Sequence, residues 1–175
     1  MLRKERIYVL VLVVIVFAVG FYIASLHPQV EIICPPQDTI LSEQDYQVKT
    51  ANGVIIMGKS TWDDVQRIFP QGKNLGMSTI YRPENPDCLL TFSEDENILI
   101  KLHIDSPELP SPRGIRVGDA YTAVEEQYGK NYTLIRNTGN NDDFDMVYGK
   151  NRGNSVTFKI DYQKVDRIII QREVQ

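Results

Sequence analysis

The sequence predicts an α+β fold in which two tandem helix-plus-antiparallel-strand repeats share one sheet, with the helices on one face. An N-terminal transmembrane helix is expected ahead of them. Three observations lead there. Residues 114–129, GIRVGDAYTAVEEQYG, read in order as a turn, a helix start, an amphipathic helix and a helix stop. A weaker copy occupies residues 55–70. After each helix comes a series of short alternating apolar and polar runs of the kind that form hairpins.

In the clearer copy, Asp119 is expected to cap the helix by accepting from the free N–H groups of its first turn. Ala120, Val124 and either Gln127 or Tyr128 then share one side, Thr122, Glu125 and Glu126 the other, and Gly129 supplies the helix stop. In the earlier copy, Ser60 takes the cap position, with Asp63 as a short-armed capping box. Counting from the two caps pairs Trp62 with Tyr121, Val65 with Val124 and Phe69 with Tyr128. Further on, Thr91-Phe92 matches Thr157-Phe158, and at the same spacing Lys101 meets Arg167 and Ile104 meets Ile170.

The chain opens with a basic segment, residues 1–6, carrying Arg3, Lys4 and Arg6. Residues 7–26, from Ile7 to Leu26, then hold no charge, and as a helix they would reach roughly 30 Å, the thickness of a bilayer core. The expectation is an uncleaved signal anchor, membrane-embedded and single-pass. With the basic cluster on the cytoplasmic side, the C-terminal domain would lie outside the cytoplasm. Residues 27–52, with Pro28, Pro35 and Pro36, read as a tether. The first repeat is placed at 53–105, a Pro-rich connector at 106–112 (SPELPSP), and the second repeat at 113–171. Each repeat is small for a domain of its own, so one shared core is expected.

Apart from residues 1–6, sixteen of the 19 basic and twenty-two of the 23 acidic residues remain, an excess of six negative charges. No basic stripe with interleaved aromatics survives that balance, so nucleic acid is not an expected partner. The sequence carries no G-x-S-x-G, P-loop or G-x-G-x-x-G, no zinc-ligand spacing and no cofactor motif, and catalysis is not expected.

Residues 137–145, NTGNNDDFD, form the one acidic cluster that invites a cation, with Asn141, Asp143 and Asp145 at alternating positions. The sixth-position Gly and distal Glu of an EF-hand are missing, so a solvated hairpin loop is the plainer reading. For Cys34 and Cys88 two readings stand, a disulfide between them or a buried apolar Cys88. Tyr81 and Tyr148 are candidates for an open sheet face, together with Lys101, His103 and Arg167. Leu99, Lys101 and His103 are expected to share one side of their strand, opposite Ile98, Ile100, Leu102 and Ile104.

With Gly118, Asp119, Val124, Gly129, Tyr148 and Phe158 in place, the repeat resembles that of the β-lactamase-inhibitor-protein-like superfamily. This superfamily includes the small lipoprotein of the outer-membrane β-barrel assembly machinery. The resemblance implies an antiparallel sheet with helices on one face and the other face free to bind protein. The functional expectation is therefore an extracytoplasmic protein-interaction domain whose partner is a protein or a cell-envelope component. The alternative is a small-ligand or calcium-responsive sensor built on the loop at 137–145.

Overall fold

The computed structural model of the chain describes Val16 and residues 30–76, 79–95, 97–138, 141–151 and 153–174. Its architecture is mainly β, at 44% strand and 14% helix. The α+β expectation is corrected accordingly. A nine-stranded sheet, antiparallel at every pairing, dominates the described residues.

Its strands are β1 (Val30–Ile33), β4 (Gly72–Asn74), β5 (Ile80–Pro83), β6 (Cys88–Phe92), β7 (Leu99–Ile104), β8 (Thr133–Asn137), β9 (Phe144–Asn151), β10 (Asn154–Asp161) and β11 (Lys164–Arg172). They lie in the order β1-β8-β9-β10-β11-β7-β6-β5-β4. A separate hairpin joins β2 (Gln47–Thr50) to β3 (Gly53–Ile56). The α-helices are α1 (Trp62–Ile68) and α2 (Tyr121–Tyr128), of 7 and 8 residues.

Helices this short explain the correction. Eight residues make a rod of about 12 Å, whereas nine strands span roughly 38 Å. Two such rods cannot cover the sheet. The hairpin and its flanks complete the layer: Tyr46, Val48, Ile55 and Met57 are buried beside Val65 and Ile68 of α1, Val124 and Tyr128 of α2, and Leu109 and Ile115 of the connection between them. Part of the expected tether is thus structural, since β1 pairs with β8 at the sheet edge and β2 closes the core. Fully burying one such aliphatic or aromatic side chain is worth about 1.5–3 kcal/mol, so the hairpin is a substantial part of what holds the sheet flat-side down.

Among the described residues no helix is long and apolar enough to cross a membrane. The structure therefore gives no support to the transmembrane, signal-anchor and single-pass expectations, or to the membrane localisation drawn from them. Of the segment 7–26 only Val16 is described.

The helix starts also differ from expectation. Thr61, not Ser60, caps α1: its hydroxyl accepts from the Asp64 N–H and the Asp64 carboxylate accepts from the Thr61 N–H, so Asp64 rather than Asp63 closes the capping box. Ala120 takes the cap position of α2 without a side-chain bond. Ser60 and Asp119 instead hold the turns ahead of the helices, their side-chain oxygens accepting from the N–H groups of Ile56 and Arg116 at 2.9 and 2.8 Å.

Matching backbone bonds stitch each helix start to the beginning of a long strand. Gly58 donates to the Leu99 carbonyl and Gly118 to that of Val165, both at 2.7 Å. Leu99 returns a bond to Ser60 and Val165 one to Asp119, both at 2.8 Å. Trp62 donates to Asn97 at 3.1 Å and Tyr121 to Gln163 at 3.0 Å, and both acceptors lie in the left-handed region, with φ of 52° and 65°. Just beyond, each strand bulges by one residue: Ile100 is skipped between the pairs Leu99–Phe92 and Lys101–Thr91, and Asp166 between Val165–Ile160 and Arg167–Lys159.

Candidate functional site

The bulge at Ile100 decides which side chains of β7 face which way. It places Leu99 with Leu102 and Ile104 in the core and leaves Lys101 and His103 half-buried on the opposite face. The expected grouping of Leu99 with Lys101 and His103 is corrected for that reason. Arg167 lies on this face too. Tyr81 and Tyr148 do not. They are 2% and 0% exposed on the covered face, and their hydroxyls donate to the carbonyls of Phe69 and Gly129, which end the two helices.

No described element packs across the face that holds Lys101, His103 and Arg167. Cross-strand register draws one continuous row on it: Thr133, Val147, Thr157, Ile169, His103 and Leu89, from β8 to β6. Five strand spacings make this row roughly 24 Å long. It contains hydroxyl and apolar side chains and one imidazole, with no formal charge above mildly acidic pH.

Burial, then the nearby Lys101 and Arg167 cations, holds the His103 pKa below its ordinary value, with Lys159 adding to the effect and Asp105 opposing it. The imidazole is thus neutral at pH 7. On one side of the row, Arg167 is ion-paired with Asp105, and Lys159 with Asp145 at 3.2 Å. On the other stands Lys101, for which no ion pair is found among the described residues. With Asp87 opposite Asp105, the three rows together carry three cations (Lys101, Lys159 and Arg167) and three anions (Asp87, Asp105 and Asp145), a balanced face on a chain of net charge −4.

The other sequence candidates fall elsewhere. Asp145 belongs to the sheet through its pair with Lys159, while Asn141 and Asp143 are exposed in the loop before β9. Among the described residues no three His, Cys, Asp or Glu side chains gather closely enough to hold a metal ion. Cys34 is exposed beyond β1 and Cys88 is buried in β6, and both are free thiols. Six strand spacings, roughly 29 Å, separate those strands, whereas a disulfide needs Cα atoms within about 7 Å. The buried reading of Cys88 is the one that fits, and burial pushes its thiol pKa up to about 12.

A cleft of about 610 Å³ opens between the β2–β3 turn, the end of α1 and the chain around Leu109. Among its polar side chains, those of Asn52 and Arg116 are engaged by the chain itself. Asn52 donates to the Ile68 carbonyl at 3.0 Å, and Arg116 to the carbonyls of Pro107 and Glu108. The open sheet face is therefore the stronger candidate. Leu89, Thr133, Val147, Thr157 and Ile169 were not singled out from sequence, because the pairing that assembles them joins strands far apart in the chain. Comparison with protein-family models, with curated proteins and with solved structures finds no match.

Proposed function

We propose that this protein is a binding module that docks a partner protein on its uncovered sheet face. The observation that carries the reading is the uncharged row from Thr133 to Leu89, framed by Lys101 on one side and by the Arg167 and Lys159 pairs on the other. An apolar strip with a charged rim is the usual anatomy of a protein-binding surface. With cations and anions balanced around an uncharged centre, the face favours a partner surface that is apolar at its centre and polar at its edge. The same use of an open face is what the resemblance to the β-lactamase-inhibitor-protein-like superfamily implies.

The test is site-specific photo-cross-linking in intact cells of the source organism. A photoreactive side chain at Ile169 is expected to give one dominant adduct, whose yield falls when Leu89→Glu or Val147→Glu is added. The same group at the exposed Tyr162, away from the row, is expected to give none. Equal adducts from both positions, or none from Ile169, overturn the reading. A thermal shift of several degrees on adding calcium would instead favour the sensor alternative, because a ligand bound only by the folded state raises its stability.

A further inference from the structure

The two edges of the nine-stranded sheet are built differently. At one, β4 is three residues long, and Gly72, Lys73 and Asn74 offer no apolar side chain. A short edge with a lysine discourages further pairing. At the other, β1 presents Val30, Ile32 and Ile33 at 59%, 51% and 45% exposure, on both sides of the strand. Its one charged residue, Glu31, is neutralised within the sheet by Arg136 on β8 at 2.7 Å. No described strand pairs with its outer side.

We propose that β1 is the docking edge for a second copy of this chain, whose own β1 adds antiparallel across a two-fold axis. This goes beyond the face-binding reading and stands independently of it. An isologous contact needs a self-complementary surface, and the strand's alternation limits the register. Residues directly opposite in an antiparallel pair must have their backbone groups turned the same way, so even-numbered positions meet even and odd meet odd. Centring on Glu31 sets two carboxylates face to face, a destabilising arrangement. Centring on Ile33 leaves only a short overlap.

Centring on Ile32 sets Ile32 against its copy, Glu31 against Ile33, and Val30 against Cys34, using the whole strand with no opposed charges. The open faces of the two sheets would then run on as one, with Ile32 and its neighbour Ile135 at the junction. So few ladder residues bury far less than the roughly 800 Å² per partner of a stable complex, so the association is reversible and concentration-dependent.

The experiment is cysteine scanning in the full chain under mild oxidation, in a Cys34→Ser background. Cys88 is buried and out of reach. Ile32→Cys is expected to form an inter-chain disulfide several-fold faster than Val30→Cys or Ile33→Cys, since opposed Cβ atoms lie about 4.5–5.5 Å apart. With native Cys34 restored, Val30→Cys is expected to cross-link as well. Equal rates at all three positions, or none at Ile32, overturn the proposal. In sedimentation, Ile32→Lys is expected to abolish concentration-dependent dimerisation while leaving the circular dichroism spectrum unchanged. A folded Ile32→Lys chain that still dimerises like the parent also overturns it.

Discussion

The hydroxyl of Tyr148 donates to the Gly129 carbonyl at 2.8 Å, tying β9 to the end of α2. Tyr81 makes the equivalent bond from β5 to the Phe69 carbonyl at the end of α1, at 2.7 Å. Each bond satisfies a carbonyl that a helix end leaves without an intrahelical partner. Phe69 is buried and Gly129 is exposed, so water can replace the lost hydroxyl at the second site more readily than at the first. Tyr81→Phe is expected to cost about 1–2 kcal/mol and Tyr148→Phe about 0.5–1 kcal/mol. Urea denaturation of the single variants and the double variant checks this, and the two costs should add, because the sites share no partner.

Asp45 and Arg113 join the 3-10 turn Glu43–Tyr46 to the segment leading into α2, through bonds of 2.6 and 2.9 Å. Burial opposes ionisation of Asp45. The Arg113 guanidinium and the N–H and hydroxyl of Ser42 outweigh it and hold the carboxyl below its ordinary pKa. A group lowered on folding contributes stability that is complete above its unfolded pKa, about 3.8 here. That contribution is lost as pH falls through the lower folded value. Asp45→Asn is therefore expected to destabilise the protein at pH 7, by about 1.5–3 kcal/mol, since it removes the charge-assisted pair while Arg113 keeps its bond to the Gln127 carbonyl. It is also expected to flatten the acid limb of a melting-temperature profile below pH 4. An unchanged acid limb would count against the assignment.

Gly149 is positioned where a side chain cannot go. Its φ is +108°, and a Cβ there would sit 2.4 Å from the Asn154 carbonyl oxygen, which is backbone and cannot swing aside. Gly114 has a comparable φ of +90°, but nothing lies within 4 Å of its would-be Cβ. Gly149→Ala thus combines strain with a clash and is expected to cost more than about 3 kcal/mol, against about 1 kcal/mol for Gly114→Ala. Chemical denaturation of the two variants side by side provides the comparison.

Where hydrophobic alternation ran unbroken, the sequence was informative. In β10, and in β11 beyond its bulge at Asp166, the period-two pattern puts Val156, Phe158, Ile160, Ile168 and Ile170 in the core, where the structure has them. In β7 the same rule misplaced Leu99, because a bulge adds one residue and a period-two pattern reverses with every insertion. The cap of α1 slipped by one for a related reason: Ser60 and Thr61 can both cap, and the tertiary bonds from Leu99 to the Ser60 carbonyl and from Trp62 to the Asn97 carbonyl fix where the helix starts. Tyr81 and Tyr148 stand in the sequence as candidates for the open face because a phenol suits either environment, and the carbonyls that accept their hydroxyls come from distant helix ends. The row from Thr133 to Leu89 was least legible of all. It exists only because β7 pairs with β11, a contact between residues more than sixty positions apart.

His103 offers a readout on the open face itself. Its imidazole sits between Leu89 and Ile169 in the row, and burial, then the Lys101 and Arg167 charges, lowers its pKa from the ordinary 6.5, with Lys159 reinforcing and Asp105 countering. In the unfolded chain the same imidazole titrates near 6.5. The unfolded state therefore binds the proton first as pH falls, and stability declines between 6.5 and the lower folded value. His103→Gln removes this proton and should leave the melting temperature flatter across that window, with little change at pH 8. Proton NMR of the His103 ring would measure the folded pKa directly, and a value at or above 6.5 would contradict the burial and charge argument. A partner that covers the row would press the pKa lower still, because it would remove the remaining water from the imidazole. The same titration repeated with bound partner therefore checks whether the row is the surface in contact.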